Sequence, residues 1–171
     1  MDKDKILAEL YIWIENFLEK PNKAFGGWTP CPYIRNSRLN NKLHIVFIDN
    51  VTINNDINNN LNQLATKDCV VFLFNHNEIN FCEADNIVID FNNNMMKNNY
   101  VIIMDHPDNP EDINGENINF GKCGILLLFK LDYLNKLANT LKKKGYFDFW
   151  PKGSYEQRIA WRYTSDLTKN K

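Results

Sequence analysis

YVIIMDHPDNPEDINGENINFGKCGILLLFKL, residues 100–131, decides the fold. Its two ends, YVIIM (100–104) and GILLLFKL (124–131), are short aliphatic runs bounded by turn residues, which is how buried strands read. The stretch between them, 105–121, is polar, carries Pro107, Pro110, Gly115 and Gly121, and has no helical periodicity. Two strands joined without a helix fold back on each other, whereas parallel neighbours need a crossover. A connection longer than the usual ~12–15 residues is functional or mobile in most folds.

Upstream, LHIVFI (43–48) and CVVFLF (69–74) are two further strands, the second apolar on both faces. Helical spacing fills the gaps: Ile57, Leu61 and Leu64 within 55–66, and Ile87, Val88, Phe91 and Met95 within 83–98. A last regular helix, 132–144, stops at Gly145 after three lysines, as helix C-termini do. The order strand–helix–strand–helix–strand–strand–helix predicts an α+β single-domain sandwich over 1–171. Its sheet is expected to be ferredoxin-like, permuted in order, with about four strands and flanking helices on one face. An amphipathic helix over 4–20 precedes the 31–145 core, with Leu7, Leu10, Tyr11, Ile14, Phe17 and Leu18 on one side. An aromatic tail and final helix, 146–168, follow it, with Ser154-x-x-Gln157 read as a capping box.

Composition narrows the function. A chain of 171 residues with 44% hydrophobic and 24% charged residues builds one core without staples. A net charge of −1 gives no basic stripe, which speaks against a nucleic-acid binder. No apolar run nears the roughly 18 residues of a membrane span. The acid-bearing N-terminus is a poor signal peptide, so a cytoplasmic chain is expected and the sequon Asn50-Val51-Thr52 carries no glycan. The 28 asparagines, many in runs, suggest an AT-rich genome rather than any chemistry.

The motif with most chemistry is GGWTPCPYIRNSRL, 26–39. Pro32 suits the first turn of a helix over 32–40, and the residue before a proline takes the extended geometry of an N-cap. Cys31 at that N-cap would meet the helix dipole and free N–H groups, which lower a thiol pKa. Arg35 and Arg38, four and seven residues on, extend the same face into an anion site. The plainer alternative is a rigid turn with arginines paired to surface acids. Of the other cysteines, Cys69 and Cys123 read as buried free thiols, and no C-x-x-C pair occurs.

Three histidines remain. His44 sits within the first strand. His76 and His106 follow the second and third strands, at the edge where α/β sites gather, and parallel strands would bring them together. Asp105 adjoins His106. If Cys31 reached that edge, a Cys–His pair would result. His76, His106, Cys82 and Asp105 are also suitable metal ligands, but their spacing matches no closed zinc motif, and 105–121 fails as a calcium loop. No dinucleotide, P-loop, serine-hydrolase or zincin motif occurs, and no cofactor is indicated. Tyr146, Phe147, Phe149, Trp150, Tyr155, Trp161 and Tyr163 crowd the tail beside Arg158 and Arg162. They read as packing against the sheet or first helix, with homo-oligomer contacts as an alternative.

An N-terminal helix, Cys31-Pro32-Tyr33-Ile34, the strand–helix alternation and Asp105-His106-Pro107 together resemble an uncharacterised group of small bacterial and phage proteins. That group carries a Cys-Pro-Phe-Ala motif and a later Phe-His-Pro. The tail KKKGYFDFWPKGSYEQRIAWR is similar to hypothetical marine-phage proteins. The resemblance adds weight to Cys31 and His106 and implies no reaction.

Three functional readings follow. The first is a thiol-dependent enzyme acting through Cys31 and His106 on a small anionic substrate held by Arg35, Arg38 and Asp105. The second is a non-catalytic binding module using 105–121 and the tail. The third is a metal-dependent enzyme using His76 and His106.

Overall fold

The computed structural model describes residues 1–163. Helix α1 (Lys3–Trp13) runs into a π-helical turn, Ile14–Leu18, and ends three residues before Pro21. Then come α2 (Ile34–Leu39), β1 (Leu43–Phe47), α3 (Ile53–Asn59) with a 3-10 turn, β2 (Cys69–Phe74), α4 (Phe81–Met95) and β3 (Tyr100–Asp105). The connection to β6 (Gly124–Lys130) contains a small hairpin, β4 (Asp112–Ile113) and β5 (Glu116–Asn117). Helix α5 (Leu131–Lys143) ends at left-handed Gly145, and a 3-10 turn and the tail follow.

The main sheet has four strands in the order β1-β2-β6-β3. Strand β6 runs antiparallel to both neighbours, which makes β2 and β3 parallel, and β1 lies parallel beside β2. The β2–α4–β3 crossover with β6 returning between its strands is the split βαβ unit of ferredoxin-like sheets. The outer strand β1, parallel rather than antiparallel, makes the sheet mixed.

The expectation of helices on one face does not hold. Alternation along β2 sends Val70, Phe72 and Phe74 to a core shared with Ile53, Ile57 and Ala84 of α3 and α4. Cys69, Val71 and Leu73 face a second core built with Ile6 and Leu10 of α1 and Ile14 of the π turn. A strand apolar on both faces needs cover on both; β2 is buried along its whole length.

Edge strand β3 is closed by a side chain. Asn92 of α4 donates to Ile102 O at 3.0 Å and accepts from Ile102 N–H at 2.8 Å. The backbone groups that an edge strand leaves open are thus satisfied at that residue. Helix α4 itself begins with a capping box, Asn80 with Glu83. The box expected at Ser154 does not form: Ser154 is already helical, and Gln157 N–H bonds to Gly153 O.

A third, smaller core gathers Phe25, Ile113, Leu141 and Tyr146, flanked by Trp28, Tyr33, Phe147 and Trp150. The tail aromatics therefore pack inward as expected: Tyr146, Phe147 and Trp150 on the 22–30 loop and the β4–β5 hairpin, and Trp161 on a cluster that includes Val101 of β3. On α1, Trp13 stacks with Phe17 and meets the Phe120 ring at a tilt instead. The end of the final helix expected to reach 168 lies outside the described residues.

Candidate functional site

Cys31 is not an N-cap. Helix α2 starts at Ile34 with Tyr33 as its cap, and Cys31 sits in the turn before it, its N–H bonded to Leu18 O. Burial pushes the Cys31 thiol up, against the lowering effect of the Ile34 and Tyr33 N–H groups, and the Glu19 charge raises it further. Burial thus outweighs the N–H groups that the sequence expects to lower this thiol. Helix α2 is also too short to carry much dipole.

Cys31 and His106 lie toward opposite ends of the sheet's strands. Cys31 N–H bonds to Leu18 O, and Leu18 packs in the cluster that holds Cys69, the first residue of β2, while the His106 ring lies 5.8 Å from that of Phe74, the last. Five steps along a strand separate those ends by about 16 Å. Cys31 therefore does not reach the strand ends where His106 lies, the condition on which a Cys–His pair depended.

His76 and His106 do meet, as parallel β2 and β3 require: their rings lie edge-on at 6.2 Å. His106 is 1% exposed, and both of its nitrogens are engaged. Nδ1 accepts from Asp108 N–H at 3.2 Å, so Nε2 carries the proton and donates to Ile79 O at 3.2 Å. Both ring nitrogens are thus spent within the fold. His76 Nδ1 is buried without a hydrogen-bond partner among the described residues. No group of three or more His, Cys, Asp or Glu is placed to hold a metal ion among them. His44 bonds to Asn60 Oδ1 at 3.2 Å within the fold.

Asp105 organises the long connection instead of a substrate. It accepts from Phe120 N–H at 2.9 Å and from Asn119 Nδ2 at 2.5 Å, and Asn119 Oδ1 accepts from Glu111 N–H. Burial pushes its carboxyl above the ordinary range, with those two bonds pulling the other way. Burial pushes the Cys123 thiol up to about 12, helped by the Asp105 charge.

The arginines come together in a groove. The π turn and α2 enclose about 270 Å³ lined by Glu15, Asn16, Glu19, Lys20, Arg35, Arg38 and Leu39. Arg38 is already committed. Its Nε and Nη2 grip Glu19 at 2.7 and 3.0 Å, and its Nη1 reaches Glu15 at 2.8 Å. Arg35 and Lys20 have no carboxylate partner among the described residues. Leu39, 64% exposed, forms an apolar rim.

The sequence pointed to Arg35 and Arg38 but missed Glu15, Asn16, Glu19 and Lys20. Glu15 and Glu19, four apart on the polar face of the first helix, were the signal: like charges at that spacing repel, and a nearby cation relieves them. A second concavity, about 230 Å³, lies at the N-terminal end of β2 among Lys42, Thr66, Lys67, Asp68, Lys130, Asp132 and Tyr133. Its lysines are engaged: Lys42 with Thr66 O, Lys67 with Asn41 O and Lys130 over the Tyr100 ring.

The 105–121 connection and the tail, expected to form a binding surface, are spent largely on each other. Arg158 pairs with Glu111, and Ile113 is fully buried. Among the described residues no helix is long and apolar enough to cross a membrane. No family model, no curated protein and no solved structure matches the chain, so the phage-protein resemblance rests on the quoted motifs alone.

Proposed function

We propose that this protein is a non-catalytic binding module that takes an anionic group, phosphate or carboxylate, in the groove between the π turn and α2. One observation carries the reading. Three cations (Lys20, Arg35, Arg38) line the groove against two carboxylates (Glu15, Glu19), and Arg38 consumes both. Arg35 and Lys20 are left facing a concavity, on a chain whose net charge is −1.

Arg38 then acts as a strut that fixes the groove wall, and Arg35 offers the planar fork suited to two oxygens of one anion. The π turn supports the same reading, because such turns occur frequently at functional sites and here it supplies Glu15 and Asn16. The thiol-dependent and metal-dependent alternatives have no comparable support: burial pushes the Cys31 thiol up, and both His106 nitrogens are engaged within the fold.

The test is an NMR titration of the labelled chain with inorganic phosphate and with citrate at low salt. Saturable shifts confined to Lys20, Arg35 and Leu39, weakened about tenfold or more in Arg35→Ala, are expected for a charge-assisted pair. Shifts that never saturate, or that Arg35→Ala leaves unchanged, would remove the groove from consideration.

A further inference from the structure

The tip of the β4–β5 hairpin is the chain's single Asn-Gly dipeptide, Asn114-Gly115. Both residues have positive φ, 53° and 85°, as a type I′ turn demands. The Asn114 side chain ties the hairpin down. Its Nδ2 donates to Ala24 O at 2.7 Å and to Phe149 O at 2.6 Å, one hydrogen to each. One amide thus joins three stretches: the 22–30 loop, the hairpin and the tail.

We propose that Asn114 is a covalent modification site, a clasp that opens irreversibly by deamidation. The Gly115 nitrogen attacks Asn114 Cγ, and the new C–N bond closes a five-membered succinimide. The Cγ–Nδ2 bond breaks, and ammonia leaves carrying the proton lost by Gly115. Water then opens the ring at either carbonyl to give aspartate or isoaspartate. Water is the only co-reactant, and nothing is oxidised or reduced. Glycine suits the attacking position because it has no side chain to shield its nitrogen, and open space surrounds it here.

The fold restrains this reaction twice. Gly115 N–H donates to Asp112 Oδ1 at 2.8 Å, which occupies the nucleophile. The Asn114 amide is held on two carbonyls, which removes its freedom to swing toward Gly115. Conversion therefore waits for local opening of the hairpin. Afterwards the clasp cannot re-form. Aspartate would set acceptor oxygens against two carbonyls with no donor between them, and isoaspartate would lengthen the backbone of a two-residue turn.

The experiment follows Asn114 by peptide mass spectrometry in the intact chain at mildly alkaline pH, folded and in urea. Deamidation about tenfold or more slower in the folded chain is expected if opening gates it; equal rates overturn the proposal. Hydrogen exchange is then read on Asn114→Asp and on the deamidated fraction recovered from aged wild type, which folded before it converted. Exchange about tenfold faster in 22–30 and 105–121 is expected from the lost bonds. Unchanged exchange in the aged fraction overturns the proposal, whatever the variant does.

Discussion

The Phe74 ring lies across Gly124, its register partner between β2 and β6, so closely that a Cβ on Gly124 would fall 2.1 Å from the ring. Gly124 opens β6 without positive φ, so the constraint is space alone. Phe74 in turn lies 5.8 Å from His106. Gly124→Ala should cost about 1–3 kcal/mol by overpacking. Urea denaturation will give that loss, and the His76 and His106 ring signals should move with it. A neutral substitution would mean that the Phe74 ring swings clear.

Asn92 should be the asparagine whose loss is felt most. Asn92→Ala leaves Ile102 N–H and C=O without their partner at a buried edge, an expected cost of about 1–3 kcal/mol. Asn92→Asp keeps the acceptor for Ile102 N–H but sets a carboxylate against Ile102 O, so it should also destabilise. Equilibrium unfolding of both variants checks this, and wild-type stability in Asn92→Ala would show that the edge is closed by other means.

Thiol reactivity should follow exposure rather than motif. Cys82 is exposed, Cys31 half-buried, and Cys69 and Cys123 buried. Iodoacetamide should modify Cys82 first. Cys31 should follow with an apparent pKa above the roughly 8.5 of a free thiol, because burial raises it. Faster alkylation of Cys31, with a midpoint below that value, would restore the thiol-enzyme reading.

Asp105 should impose a pH dependence of unusual sign. Its folded pKa is raised, chiefly by burial, so the folded chain holds this proton more tightly than the unfolded one. The resulting stabilisation is complete below the unfolded value of about 3.9 and is lost as pH rises through the folded value. Asp105→Asn does not titrate there. The stability difference, wild type minus variant, should therefore fall as pH is raised across that window. A rising difference would mean that the Phe120 and Asn119 bonds outweigh burial.

The strands and their connectivity were legible because aliphatic runs with turn residues between them leave few alternatives: all four main-sheet strands lie where the sequence puts them. The second helical layer was harder to read. Nothing local in α1 says which face of a sheet it covers, although the two-faced apolar character of CVVFLF was the available hint. The N-cap placement of Cys31 does not hold because the chain spends two more residues turning after Cys31 before α2 starts. The asparagines were read as a genomic signature, which hid their separate roles. Asn80 caps α4, Asn99 takes φ 69° and bonds the first turn of α5, and Asn92 and Asn114 hold distant backbone. Their partners lie up to 90 residues away, beyond the reach of any local pattern.

The third core has a consequence for synthesis on the ribosome. Phe25 and Trp28 are covered by Ile113, Leu141, Tyr146 and neighbouring residues, all of which are made much later. Loops that long close late, because their entropy is lost before any contact compensates for it. Phe25 and Trp28 therefore stay uncovered until Ile113, Leu141 and Tyr146 have been made, and apolar surface left open during folding favours aggregation.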